Sequence, residues 1–64
     1  MPQQHLFDEN EFRNKLVERA KGILMRRLNL TEEEAFRRMQ RRSQNENKRL
    51  GEIAQAIITA DGML

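Results

Sequence analysis

The sequence predicts an all-α protein, a small three-helix bundle, because apolar residues recur at intervals of three and four in three successive segments. The chain has 64 residues, no cysteine and one histidine. A core this small has to rely on capped helices, on a partner subunit, or on both. No apolar run approaches the roughly 18 residues of a membrane-spanning helix. We therefore expect one soluble, cytoplasmic domain that has no membrane partner.

The first helix is predicted over Asp8–Arg27, where Asp8 and Glu11 have the spacing of a capping box. Residues 1–7 lack any periodicity and are predicted to form a disordered tail, with the domain spanning residues 8–64. One face of this helix carries an apolar stripe, which consists of Phe12, Leu16, Ala20, Ile23, Leu24 and Leu28.

Lys21, Gly22 and Met25 lie off that stripe. A glycine inside a helix costs roughly 1 kcal/mol relative to alanine. Gly22 therefore indicates either the close approach of another backbone or ligand, or a glycine that the helix merely tolerates.

A second helix is predicted over Thr31–Gln44 and a third over Lys48–Ala60. Thr31 and Glu34 have the spacing of a capping box, in which each side chain accepts a hydrogen bond from the backbone of the other residue. The three helices are expected to share one core, formed by Leu16, Ile23, Leu24, Phe36, Met39, Leu50, Ile53 and Ile57.

The basic run from Arg37 to Arg49 is the most informative stretch for function. It sets six basic residues against one acid, Glu46, which gives a net charge of +5 over thirteen residues. Like charges one turn apart disfavour a helix, and Lys48 and Arg49 lie at the positive end of the third helix's dipole. Positive charges that persist although they destabilise their own helices are typical of a surface that binds a polyanion. The alternative is a solvated helix face whose charge is balanced by nearby glutamates.

An enzyme is hard to build from this sequence, so we expect no catalysis, no cofactor and no metal site. The chain has neither cysteine nor tyrosine, and its single histidine lies in the predicted tail. The three adjacent glutamates at positions 32–34 are explained as the capped first turn of the second helix.

Five segments resemble, in order and spacing, the ANTAR domain, the RNA-binding module of bacterial transcription antitermination regulators. These segments are Ala20–Met25, Thr31–Phe36, Arg41–Gln44, Asn47–Leu50 and Ile53–Ile58. The resemblance implies a three-helix domain that binds a two-hairpin leader RNA in a nascent transcript and thereby excludes an overlapping terminator hairpin.

The resemblance also implies an upstream receiver or sensor domain, as in a two-component response regulator, and a homodimer that pairs through a coiled coil leading into helix one. The sequence shows no such sensor, and only Leu6–Val17 resembles a coiled-coil remnant. We therefore expect either an excised or a stand-alone domain, with Phe7, Phe12 and Val17 as the dimer contact.

The basic run and the resemblance together predict an RNA-binding surface. Arginines would clamp loop phosphates and provide planes for base stacking, because Phe12 and Phe36 are expected to be buried. Amide side chains would reach base edges, while Lys21 would add a charge beside the open backbone at Gly22. The predicted binding residues are Lys21, Gly22, Arg38, Arg41, Arg42, Gln44, Asn47, Lys48 and Arg49.

Two other functions stay open at this point. A helix-turn-helix DNA-binding module would need exposed base-reading side chains at the start of its recognition helix, and the third helix turns apolar after Lys48 and Arg49. A helical dimerisation module would instead present the basic face to an acidic protein.

Overall fold

The computed structural model describes residues 9–63, in which the chain forms three helices and no strand. They are α1 (Glu9–Leu28), α2 (Glu32–Glu46) and α3 (Leu50–Gly62). The predicted all-α three-helix class is confirmed. None of these helices combines the length and the apolar character that a bilayer crossing requires. The predicted tail over residues 1–7, the cap at Asp8 and the contact at Phe7 lie outside the described residues.

The start of α2 is capped as the sequence predicts. The Thr31 hydroxyl accepts a hydrogen bond from the Glu34 N–H at 3.1 Å, and a Glu34 carboxylate oxygen accepts one from the Thr31 N–H at 2.9 Å. The box satisfies backbone groups that have no partner inside the helix. It fixes the direction in which α2 leaves the preceding turn.

The boundary between α2 and α3 lies two residues later than predicted. Asn45 stays helical, and α2 ends at Glu46 because Asn47 adopts the left-handed conformation, with φ 56° and ψ 43°. Asparagine tolerates this conformation better than most non-glycine residues, so Asn47 ends the helix. As a result α3 begins at Leu50 and continues through Gly62, which is its last residue and does not stop it earlier.

Helices α1 and α3 lie side by side and run in the same direction. Near their first turns, a Cβ added to Gly51 would lie 3.1 Å from Cγ of Arg13, so the glycine makes room for the arginine stem. Near their last turns, Nε of Arg27 donates to Oδ1 of Asp61 at 2.5 Å. Helix α2 packs against both of them.

The core lies where the three helices meet. Of the eight predicted core residues, Ile23, Met39 and Ile53 are buried. The other five, including Phe36, are partly buried and pack around the centre. Small side chains take much of the central space and allow the helices to approach closely. The complete buried set is Val17, Ala20, Ile23, Ala35, Met39, Ile53 and Ala54.

Some expectations for apolar residues on α1 and α2 are wrong. Phe12 is 50% exposed and Leu28 is 45% exposed, so the α1 stripe is buried at its middle and exposed at both ends. Phe36 is only partly buried. Val17 is 7% exposed because it packs in the core, and a folded domain cannot offer it as a dimer contact.

Two methionines provide a matched test of this core. Met39 is 1% exposed and Met25 is 36% exposed. We expect Met39→Ala to lower the free energy of unfolding by about 2–5 kcal/mol, because it leaves a cavity where the helices meet. Met25→Ala should cost less than about 1 kcal/mol. Urea denaturation followed by circular dichroism measures both values, and equal losses would contradict the assigned packing.

Candidate nucleic-acid interface

An open groove with four arginines among its eight lining residues runs along the outer face of α2. Seven of these residues belong to α2, where they are neighbours or lie three or four positions apart, so they share one broad face of the helix. Three of the predicted binding residues, Arg38, Arg41 and Arg42, lie here together. We call this surface the basic groove, and it is lined by Leu30, Glu34, Arg37, Arg38, Arg41, Arg42, Asn45 and Glu46.

The turn after α2 is fixed by hydrogen bonds that return to the last turn of the helix. The Asn47 N–H donates to the Gln44 carbonyl at 3.3 Å, and the Lys48 N–H donates to the Ser43 carbonyl at 3.0 Å. The Ser43 hydroxyl donates to the Lys48 carbonyl at 2.5 Å. The exposed side chains of Asn47 and Lys48 are therefore carried on a backbone that is tied to α2.

Ion pairing divides the cations of the basic run into two groups. Nε of Arg42 lies 2.9 Å from a Glu46 oxygen, and Nζ of Lys48 lies 3.8 Å from the other oxygen. Within the described part of the chain, Arg38 and Arg41 form no ion pair. Arg38 and Arg41 thus carry positive charge that no described carboxylate neutralises, whereas Arg42 and Lys48 share the carboxylate of Glu46.

Arg49 lies at the border of a second groove. This groove lies between the first half of α1 and the start of α3, where Phe12, Leu16 and Leu50 also line it. The backbone N–H of Arg49 donates to a Glu52 oxygen at 3.1 Å and so caps α3. Arg49 follows the turn that carries Lys48, but its side chain does not line the basic groove.

Lys21 is held by two acidic partners, Glu18 on α1 and Glu32 at the start of α2. Its ammonium lies 3.2 Å from Glu18 and 2.9 Å from Glu32, and 5.7 Å from the centre of the Phe36 ring. The side chain is 12% exposed. The hydrogen bond to Glu32 raises the pKa of Lys21 above its ordinary value, although burial opposes the shift. The structure thus places Lys21 in a contact between α1 and α2.

Distance along α2 also separates Lys21 from Arg41 and Arg42. Glu32 precedes Arg41 by nine residues, which is about 14 Å of helix. Beside Lys21, a Cβ added to Gly22 would meet nothing within 4 Å among the described residues. Neither Lys21 nor Gly22 lines the basic groove, and the described residues leave open the space that a Cβ at Gly22 would occupy.

The structure adds Asn45 and Arg37 to the residues predicted at this surface. Asn45 follows Arg41 by four positions and lines the same groove, so helical spacing alone contained the signal for it. Arg37 also lines the groove, where Glu33 pairs with it at 3.0 Å. The hydrogen bond from Ser43 to the turn had no signal in the sequence, because it depends on the left-handed backbone at Asn47.

Comparison with known families identifies the family of this chain. The ANTAR domain matches residues 13–58, a segment that contains all three helices in large part and every predicted binding residue. The chain belongs to the ANTAR domain family, whose members are RNA-binding modules of transcription antitermination regulators and not a known family of enzymes. Searches of curated proteins and of solved structures found no match.

The contact at Lys21 gives a test that depends on pH. Because the folded state raises the pKa of Lys21, its pairing stabilises the fold below about pH 10.4 and is lost as the pH rises through the folded value. Lys21→Met retains an apolar stem but removes the charge. We expect it to lower the free energy of unfolding at pH 7 by roughly 0.5–1 kcal/mol, since both glutamates are exposed to solvent.

The difference in unfolding free energy between Lys21→Met and the unsubstituted protein should then narrow above about pH 10.4. Lys15→Met, at an exposed position of the same helix, is the control and should show almost no loss at either pH. A difference that stays constant with pH would show that the Lys21 charge does not stabilise the fold.

Proposed function

We propose that this domain binds hairpin RNA in a nascent transcript through the basic groove and the turn that follows α2. The bound hairpin would exclude an overlapping terminator hairpin, so that the polymerase reads through. Membership of the ANTAR family supports RNA as the ligand. The observation that carries the location is the grouping of Arg38, Arg41 and Arg42 on one helical face, next to Lys48.

The arginines suit the phosphate part of the contact. A guanidinium group presents planar paired donors that match a phosphate, and it can also stack on an unpaired base. Arg38 and Arg41 form no ion pair among the described residues and would contact phosphates first. Arg42 and Lys48 would follow by exchanging the Glu46 carboxylate for phosphate.

The amide side chains suit the base part of the contact. The deep, narrow major groove of A-form RNA is closed to side chains, so RNA sequence is read mainly at loops and unpaired bases. An amide both donates and accepts hydrogen bonds and can therefore pair with a base edge. Gln44, Asn45 and Asn47 are exposed around the end of α2 and would meet such bases.

Four further properties are proposed only because the sequence resembles the family. They are the two-hairpin arrangement of the leader RNA, pairing of two copies through helix one, an upstream receiver or sensor domain, and action in the cytoplasm. Lys21, Gly22 and Arg49 remain predicted RNA contacts that lie outside the basic groove.

The phosphate contacts predict a steep dependence of RNA affinity on salt. Affinity should fall by about 0.7–0.9 log units per neutralised phosphate for each tenfold rise in salt concentration. Arg42→Ala or Lys48→Ala should flatten the slope by about one contact and leave the fold intact, since both side chains are exposed. Fluorescence anisotropy with labelled hairpin RNA at several salt concentrations measures this.

Arg19→Ala is the control for the salt experiment, because it removes one positive charge from an exposed position on α1. Its slope should match that of the unsubstituted protein. Equal slopes for all three variants, or binding to a scrambled duplex as tight as to the hairpin at physiological salt, would contradict the proposed interface.

Base reading by Asn47 needs a different substitution. Alanine would be strained at φ 56°, whereas glycine accepts this conformation and still removes the amide. We expect Asn47→Gly to reduce the preference for a hairpin selected from a randomised-loop library over a hairpin with an altered loop. One lost base contact of about 1–3 kcal/mol corresponds to roughly 5- to 150-fold.

Asn29→Gly is the matched control, because Asn29 also has φ 56° and is exposed, but lies in the turn before α2. It should leave both the loop preference and the salt slope unchanged. A loop preference that Asn47→Gly does not alter would exclude Asn47 from base recognition.

A further inference from the structure

Glu46 is the one acid between Arg37 and Arg49, and its position does not favour the stability of α2. It is the last residue of α2, and the helix dipole disfavours a carboxylate at that end. It also follows its partner Arg42 by four positions, which is the weaker order for such a pair. The other pair of this type, Glu33 with Arg37, lies at the favourable end and in the favourable order.

The geometry of Glu46 is that of a shared ligand for two cations. One carboxylate oxygen lies 2.9 Å from Nε of Arg42 on the helix, and the other lies 3.8 Å from Nζ of Lys48 on the turn. Its side chain is 38% exposed, compared with 81% for Glu33. The carboxylate therefore partly neutralises two of the cations to which the proposed function assigns RNA phosphates.

We propose that Glu46 is a specificity-determining residue, a built-in competitor for phosphate at the RNA-binding surface. This inference rests on the proposed RNA-binding function. An RNA that offers only phosphates has to displace the carboxylate and then bind beside its negative charge. The Glu46 carboxylate lowers the affinity of this surface for any RNA. A non-specific polyanion makes no base contact that could offset this loss of affinity.

A loop with suitably placed unpaired bases can recover part of that loss. Once displaced, a carboxylate oxygen accepts hydrogen bonds from the exocyclic amino groups of bases. Specificity is a difference between two affinities, so a group that penalises the wrong RNA more than the right one raises it. The carboxylate would thus discriminate between loops that present amino groups next to the phosphate contacts and loops that do not.

Glu46→Gln tests the inference, since it keeps the shape of the side chain and removes its charge. The probes are a hairpin selected from a randomised-loop library and the same stem with a scrambled loop. At physiological salt we expect Glu46→Gln to bind the scrambled-loop hairpin about fivefold more tightly, the size of one added ion contact. Its affinity for the selected hairpin should change less, so the ratio between the two affinities should fall.

Glu33→Gln is the matched control, because it removes the same charge from the other ion pair of this spacing on α2. Both glutamates are exposed, and circular dichroism should show an unchanged helix content for both variants. Glu33→Gln should change the two affinities by the same factor and keep their ratio. If Glu46→Gln also keeps the ratio, or lowers both affinities, the competitor role is overturned.

The two proposals fail in different ways. If the unsubstituted domain prefers the selected hairpin and Lys48→Ala flattens its salt slope, the RNA-binding function stands whatever Glu46→Gln does. If the unsubstituted domain does not distinguish the two hairpins and its affinity is insensitive to Lys48→Ala, the RNA-binding function and the role of Glu46 are both overturned.

Discussion

The left-handed turn at Asn47 is the constraint that joins the two parts of the candidate interface, the basic groove on α2 and the side chains that follow it. The turn reverses the chain, so that the Lys48 N–H donates a hydrogen bond to the Ser43 carbonyl and the Ser43 hydroxyl donates one to the Lys48 carbonyl. Met39 of α2 and Ile53 of α3 lie in one buried cluster, which packs the two helices together on either side of the turn. The turn and the cluster together fix the position of the side chains on the turn relative to the basic groove.

Much of the fold follows from local pattern. The three- and four-residue spacing of apolar residues predicts three helices, and the capping box at Thr31 predicts where α2 begins. The end of α2 is harder to predict, because Asn45 and Asn47 both favour a break and only the backbone conformation decides between them. Burial is harder still: Phe12 lies on the apolar stripe of α1, yet it is half exposed.

The candidate site also contains residues that the sequence could place and residues that it could not. Arg38, Arg41 and Arg42 could be grouped from sequence because residues three and four apart share a helical face. Lys21 could not be placed, since its partner Glu32 and the Phe36 ring belong to another helix, and a helical stripe holds no information about such pairing. The same holds for Arg49, whose groove is formed by α1 and α3 together.

The central claim is that RNA meets this domain at the basic groove and the turn after α2. The most direct test is a titration of the ¹⁵N-labelled domain with hairpin RNA at physiological salt, followed by NMR of the backbone amides. We expect the largest shift changes between Arg38 and Arg49 and small ones along the exposed face of α1 around Lys15 and Arg19. Changes concentrated on α1, with the segment from Arg38 to Arg49 unaffected, would contradict the account.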